Sequence, residues 1–139
     1  MKILRDVLND PNQEPVVRHE AAEAIGAIGP ADLEEYLEML EKQDKDIEVR
    51  ETAHLAVQRI KFYREHKNDE ALWTNEFGSG LNFDLKRYFL TLFNIVDPAP
   101  PSKQTDIKKL AEDLMNQNLS LFDRYRAMFS LRNLVKVRK

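Results

Sequence analysis

The sequence contains no cysteine among its 139 residues. A disulfide framework, a thiolate metal site and a thiol nucleophile are therefore excluded, and the absence is compatible with a reducing compartment. Only four glycines and six prolines are present, so the chain is neither fibrous nor of low complexity. With 42% hydrophobic and 32% charged residues, the chain has the composition of a globular protein the size of one domain.

An excess of one charge and a long apolar run are also missing. Twenty-one basic residues against twenty-four acidic ones leave a formal net charge of -3, which gives no general attraction to nucleic acid or to anionic lipid. No stretch approaches the roughly 18 apolar residues that cross a membrane, and the start MKILRDVLND is too charged for a signal peptide. We therefore expect a soluble, cytoplasmic protein with no nucleic-acid and no membrane partner.

An internal repeat is the strongest pattern that is present. Residues 17–28 align with residues 49–60 at a spacing of 32, and Val, Arg, two Ala and the final Ile coincide. Both copies place small or aliphatic residues at the spacing of an amphipathic helix. Residues 124–134 form a fainter third copy, in which Arg124 stands at the place of Arg18. Each copy is predicted to be the second helix of a helical hairpin.

Polar turns precede these copies, and shorter amphipathic stretches precede the turns. The predicted first helices of the hairpins lie at residues 3–8, 31–40 and 105–115. Because strand signals are nearly absent, we predict an all-α fold, an α-solenoid of HEAT-like helical hairpin repeats of the E-Z type. Arg18, Arg50 and Arg124 recur at one repeat position, so we expect them to pair with acidic turn residues of adjacent repeats.

The repeat pattern is interrupted in the middle of the chain, where glycine, proline and a Pro-rich run mark irregular structure. We predict that residues 1–66 are the end of a first repeat block. Residues 67–104 are predicted to be a linker that carries an apolar insert at 81–95 and the segment DPAPP. Residues 105–139 are predicted to be the first repeat of a second block.

His19 and Glu20 place an imidazole beside a carboxylate near the start of a predicted helix. Nitrogen and oxygen ligands without thiolate suit iron, manganese or zinc, and open positions on such an iron can activate dioxygen. The alternative is structural, with His19 hydrogen-bonded in a turn and Glu20 neutralising Arg18 or the helix dipole. The residue pattern alone leaves both interpretations open.

The other two histidines carry weaker signals. His54 lies one turn beyond Glu51, so the two form either a ligand pair or an ordinary pair on a helix surface. His66 stands in a charged stretch and is expected to be solvated. Glu51 and Thr52 occupy the repeat positions of His19 and Glu20, so the second repeat lacks the His-Glu pair.

Three stretches, in this order, resemble the deoxyhypusine hydroxylase family. They are VVRHEAAEAIGAIG at residues 16–29, VDPAPP at 96–101 and LFDRYRAMFSLRN at 121–133. The resemblance covers residues 1 to about 80 and 94 to about 135. It implies two facing blocks of HEAT repeats around a di-iron centre that uses dioxygen. The implied reaction hydroxylates the deoxyhypusine side chain of a translation initiation factor precursor to hypusine.

The resemblance also implies metal ligands. Four His-Glu pairs, two in each block, hold the irons in that family, and only His19 and Glu20 correspond to one of them, the second pair of the first block. By position the chain resembles the central portion of such an enzyme, so we expect an incomplete metal site and an inactive isolated chain. The competing hypothesis is a non-catalytic HEAT-repeat scaffold whose concave face binds a protein.

Overall fold

A computed structural model describes residues 1–28, 33–66 and 97–136, without the side chains of the last two. These residues form helices and contain no strand. The helices, numbered in chain order, are α1 Lys2–Asn9, α2 Pro15–Ile28, α3 Glu34–Gln43, α4 Ile47–Glu65, α5 Ile107–Met115 and α6 Leu121–Lys136. We call α1–α4 the first block, residues 97–104 the connecting segment, and α5 with α6 the second block.

The helices are paired as the repeat pattern predicts. Helix α1 packs on α2, α3 on α4 and α5 on α6, while α2 also packs on α4 and joins the first two hairpins. This confirms the all-α, HEAT-like solenoid. The predicted insert and most of the predicted linker lie outside the described residues, so the division of the chain at residues 66 and 104 stays a prediction. Within the described part, no helix is long and apolar enough to cross a membrane.

Local side-chain chemistry accounts for the helix starts. Pro15 is the first residue of α2, where its missing N–H leaves no helical hydrogen bond unmade. The Asp106 carboxylate accepts hydrogen bonds from the backbone N–H groups of Lys108 and Lys109 at 2.9 and 3.4 Å. The Ser120 hydroxyl oxygen accepts from the Asp123 N–H at 3.0 Å, which caps the start of α6, and the hydroxyl donates to the Asp123 carboxylate at 2.7 Å.

The core of the first block is aliphatic and continuous across both hairpins. Its fully buried large side chains include Leu8, Ile25, Leu37, Val49 and Val57. Small residues let α2 and α4 approach closely. A Cβ added at Gly26 would lie 2.5 Å from the Cβ of Ala56, so this position admits only glycine without movement of one helix.

Arg18 confirms the expected pairing with an acidic turn. It is 5% exposed and forms ion pairs with Asp44 and Asp46 in the turn between α3 and α4. Arg50 and Arg124 differ, because their described hydrogen bonds go to backbone carbonyl oxygens. Arg50 donates to the Asp44 and Lys45 carbonyls at 2.7 and 3.2 Å, and Arg124 donates to the Leu114 carbonyl at 3.0 Å.

The same arginine position also closes two of the hairpins in the same way. Arg18 Nε donates to the Leu8 carbonyl at 2.9 Å, and Arg124 Nε donates to the Leu114 carbonyl at 3.0 Å. In both cases the acceptor lies ten residues earlier, near the end of the hairpin's first helix. This contact satisfies a helix-terminal carbonyl that has no partner within its own helix, which gives Arg18 and Arg124 the same structural role.

A second apolar cluster joins the two blocks. Its buried members are Leu55 of α4, Ala99 of the connecting segment, and Phe122 and Phe129 of α6. The Arg126 guanidinium lies 4.8 Å from the centre of the Phe62 ring, and burial lowers the pKa of this arginine. The blocks are therefore held together by aromatic and aliphatic contacts between α4 and α6.

Candidate functional site

His19 lies in the second turn of α2 and is held by a residue of α4. Its Nδ1 atom is 2.5 Å from the Thr52 hydroxyl oxygen, and the imidazole side chain is 33% exposed. A histidine that binds a metal through one ring nitrogen usually has its other ring nitrogen in a hydrogen bond with a neighbouring protein group. The Nε2 atom is therefore the one presented for binding.

Two carboxylates surround this nitrogen. His19 Nε2 lies 3.8 Å from a Glu20 carboxylate oxygen and 3.7 Å from a Glu23 oxygen. Glu20 is 70% exposed, whereas Glu23 is 38% exposed. One turn of α2 therefore groups an imidazole nitrogen with carboxylate oxygens, the donor types that iron accepts in proteins.

This donor set fits part of a metal centre. Among the described residues, no three His, Cys, Asp or Glu side chains are arranged to hold a metal ion. A di-iron centre of the carboxylate type takes ligands from several helices, whereas His19 and Glu20 both belong to α2. The described part of the chain therefore does not form a complete metal centre.

A pocket of about 240 Å³ opens beside His19. One wall consists of α2 and α4, and the opposite side is formed by Asp97 and Pro98 of the connecting segment and by Leu121 and Tyr125 of α6. Both blocks thus contribute to the pocket. Its volume is below the roughly 300 Å³ at which sites for drug-sized ligands begin, so it suits a single extended side chain or a small ligand.

The pocket is lined by both apolar and acidic residues. The apolar ones include Gly26, Ala27, Leu55 and Ala56. Glu23, Glu48, Glu51 and Asp97 also line the pocket, and Arg59 is its one lining arginine in the described part of the chain. Lining residues of predominantly negative charge raise the local concentration of cations. The pocket therefore favours a ligand with an aliphatic stem and a positively charged group.

The sequence-predicted residues fall in different places. His19 lines the pocket, whereas Glu20 points outward beside it and Glu23 lines the pocket instead. His54 does not pair with Glu51, because its Nδ1 lies 2.9 Å from Glu41 of α3.

The expectation that His66 is solvated was wrong. Its ring stacks on Phe62 at a centroid distance of 4.1 Å, and its Nδ1 lies 2.8 Å from the Phe62 carbonyl oxygen. The aromatic stacking removes part of the imidazole from water, so His66 belongs to the packed end of α4.

Sequence reasoning did not identify Thr52, Arg59, Asp97 or Tyr125 as site residues. The repeat alignment did carry one usable signal, because Thr52 stands at the repeat position of Glu20. In a solenoid of stacked hairpins, equivalent positions of successive repeats face the same surface. A polar residue at that position was therefore a candidate for contact with the His-Glu pair.

The chain is similar in sequence to proteins named deoxyhypusine hydroxylase. No family profile matches the chain. The chain is 44% identical over 133 residues to human deoxyhypusine hydroxylase, 43% identical to the chicken protein and 41% identical over 136 residues to that of Kluyveromyces lactis. These alignments cover 94 to 95% of this chain but only 37 to 38% of the relatives.

The fold comparison agrees with the sequence comparison. A solved structure of human deoxyhypusine hydroxylase in complex with glycerol superposes with a TM-score of 0.74 at 41% identity. The superposition covers 96% of this chain and 40% of that structure. By sequence and by fold, the chain is homologous to deoxyhypusine hydroxylases and spans somewhat more than a third of their length.

Proposed function

We propose that this chain supplies part of an iron-dependent deoxyhypusine hydroxylase, in which His19 and Glu20 are metal ligands. The observation that carries the proposal is the position of His19. Its Nδ1 is fixed by Thr52 at 2.5 Å while Nε2 faces two carboxylates at the edge of a pocket. A histidine with only a structural role needs neither an Nδ1 atom held by a hydrogen bond nor an Nε2 atom that faces carboxylates.

Iron, when bound, would supply the activation of dioxygen. The chain's own contribution is to hold and orient a substrate. Thr52 fixes the plane of the His19 ring, and the apolar residues Ala27 and Leu55 line the pocket along which an aliphatic chain would lie. Glu48 and Glu51 line the pocket and add negative charge to it. These features support a long cationic side chain on a protein, the chemistry of deoxyhypusine, as the substrate.

The partner in this proposal is a translation initiation factor precursor that carries deoxyhypusine. The cytoplasmic location predicted from the sequence belongs to the same proposal. The alternative function, a scaffold without catalysis, is less well supported, because the relatives at 41 to 44% identity are hydroxylases by name.

A chimera tests the proposal on a complete enzyme. The aligned 133 residues of the human hydroxylase would be replaced by those of this chain. We expect the chimera to retain iron and to hydroxylate deoxyhypusine in its protein substrate. Substitution His19→Ala should abolish both iron retention at the affected position and turnover, because it removes a ligand.

His54→Ala is the matched control, because His54 is a comparably exposed histidine of α4 that pairs with Glu41 of α3, within its own hairpin. It should leave iron content and turnover unchanged. A chimera that folds with normal helicity but retains iron after His19→Ala would contradict the assignment of His19 as a ligand. A folded chimera without any hydroxylation would contradict the proposed function.

A further inference from the structure

Two arginines from different blocks converge on one residue of the connecting segment. Arg132 of α6 donates to both carboxylate oxygens of Asp97, at 2.8 and 2.6 Å. Arg59 of α4 donates through Nε to the Asp97 backbone carbonyl at 3.1 Å. Asp97 is thus bound by side chain to the second block and by backbone to the first.

Arg59, the residue of the first block that contacts Asp97, also forms part of the pocket wall. Arg59 also donates to the Gly26 carbonyl of α2 at 3.5 Å, and its guanidinium lies 4.7 Å from the centre of the Tyr63 ring. Arg59 and Asp97 both line the pocket. The chain of contacts therefore runs from α2 through α4 and the connecting segment to α6, along one side of the pocket.

The connecting segment is itself fixed to α6 by several further hydrogen bonds. Arg126 Nε donates to the Pro100 carbonyl at 3.2 Å, and the Ser130 hydroxyl donates to the Ser102 carbonyl at 3.1 Å. The Ser102 N–H donates to the Arg126 carbonyl at 3.3 Å. The connecting segment and α6 therefore form one unit. Arg59 contacts this unit from the first block.

The apolar cluster between the blocks does not fix their separation in the same way. Leu55, Ala99, Phe122 and Phe129 attract one another through burial, a force without directional preference. A bidentate arginine–carboxylate pair adds geometric specificity, because its two parallel hydrogen bonds admit one orientation. The apolar cluster holds the blocks together, the bidentate pair fixes Asp97 to α6, and the hydrogen bond from Arg59 to the Asp97 carbonyl connects this unit to α4.

We propose that Arg59 and Arg132 are positioning residues that clamp Asp97 and thereby set the separation of the two pocket walls. One wall carries His19 and the other carries Leu121 and Tyr125. Loss of either arginine leaves the blocks in contact but lets α6 shift relative to α2. This inference concerns the shape of the pocket and does not depend on the proposed chemistry.

The absence of cysteine allows a direct test on the full chain. The substitutions Met39→Cys in α3 and Met115→Cys in α5, at positions that are 43% and 77% exposed, would together carry a pair of spin labels. Pulsed electron paramagnetic resonance then measures the distance distribution between the blocks. We expect a narrow distribution for the parent chain, and a shifted and broader one for Arg59→Met and for Arg132→Met at unchanged helicity.

Three further variants separate positioning from general stability. Arg59→Lys keeps the single donor that the Asp97 carbonyl needs and should retain much of the parent distribution, whereas Arg132→Lys loses the bidentate geometry and should retain less of it. Arg64→Met removes an arginine paired with Glu34 inside the first block and should leave the distance unchanged, whatever it does to the melting temperature. An unchanged distribution in both methionine variants, or an equal change in Arg64→Met, would overturn the proposal. Because the labels report distance without iron or substrate, this result is independent of the chimera experiment.

Discussion

Arg18 is a charged residue in the core of the first block. Its guanidinium binds Asp44, Asp46 and the Leu8 carbonyl, and the side chains of Arg18 and Asp44 are 6% and 5% exposed. The hydrogen bond with Asp44 is the main cause that raises the pKa of Arg18. Burial, the largest influence on Asp44, raises its pKa, but the hydrogen bonds from Arg18 and from the Asp46 N–H outweigh it and lower the pKa overall.

Asp44→Asn should therefore destabilise the chain and change its response to acid. We expect the free energy of unfolding at neutral pH to fall by about 2 to 3 kcal/mol, because a buried guanidinium loses a charged partner. The pKa of Asp44 is lower in the folded chain than its ordinary value of 3.8, so its stabilisation is present above that pH. It is lost as the pH falls through the lower, folded-state pKa.

Chemical denaturation at a series of pH values measures this effect. The difference between parent chain and variant should be constant well above pH 3.8 and should shrink below it. Asp6→Asn, at an exposed position of α1, is the control and should show neither effect. A difference that persists undiminished in acid would show that the charge of Asp44 is not the cause.

At the scale of the helices, the contact between α2 and α4 depends on one missing side chain. Gly26 in α2 faces Ala56 in α4, and an added Cβ would lie 2.5 Å from the Ala56 Cβ and 3.1 Å from its Cα. The same two residues line the pocket beside His19. The close approach of these helices therefore serves both the packing of the hairpins and the shape of the site.

Gly26→Ala should destabilise the chain in spite of its better helix propensity. The propensity gain is about 1 kcal/mol, whereas overpacking at a tight helix contact costs about 1 to 3 kcal/mol. Thermal unfolding followed by circular dichroism measures the net effect. The double variant Gly26→Ala with Ala56→Gly removes the clashing Cβ and should recover part of the loss, and a single variant more stable than the parent chain would contradict the close contact.

For the whole molecule, stability is divided unequally between the blocks. Most of the buried large aliphatic side chains in the described part of the chain belong to the first cluster, which lies within α1–α4. The second cluster lies at the joint between the blocks. Hairpin repeats bury their faces mainly against neighbours. The second block therefore depends on the first for much of its burial.

Phe122→Ala should weaken this joint. Truncation of a buried phenylalanine costs about 3 to 5 kcal/mol, and Phe122 is 6% exposed in the joint cluster. We expect faster amide hydrogen exchange in α5 and α6 and little change in α1–α4. Leu37→Ala, a truncation at a fully buried position of the first block, should instead raise exchange in α3 and α4. Equal acceleration in every helix after Phe122→Ala would mean that the blocks unfold as one unit.

The helices and their order could be predicted because their signals are local. The apolar spacing, the polar turns and the recurring arginine of residues 17–28 and 49–60 lie within single hairpins, and the structure has α2 and α4 over both stretches. The prediction for His66 failed because its environment is set by stacking on Phe62, which charge composition does not reveal. The metal-binding role of His19 and Glu20 stays a prediction, since no three ligand side chains meet in the described part.

By itself, the sequence determined the all-α hairpin architecture, the resemblance to deoxyhypusine hydroxylases and the choice of His19 and Glu20 as candidate ligands. Only the tertiary structure placed Thr52 against His19 and Arg59 against Asp97. These partners are 33 and 38 residues apart along the chain. Contacts at such separations depend on how the hairpins stack and how the blocks meet, and packing of buried faces, rather than local periodicity, decides both.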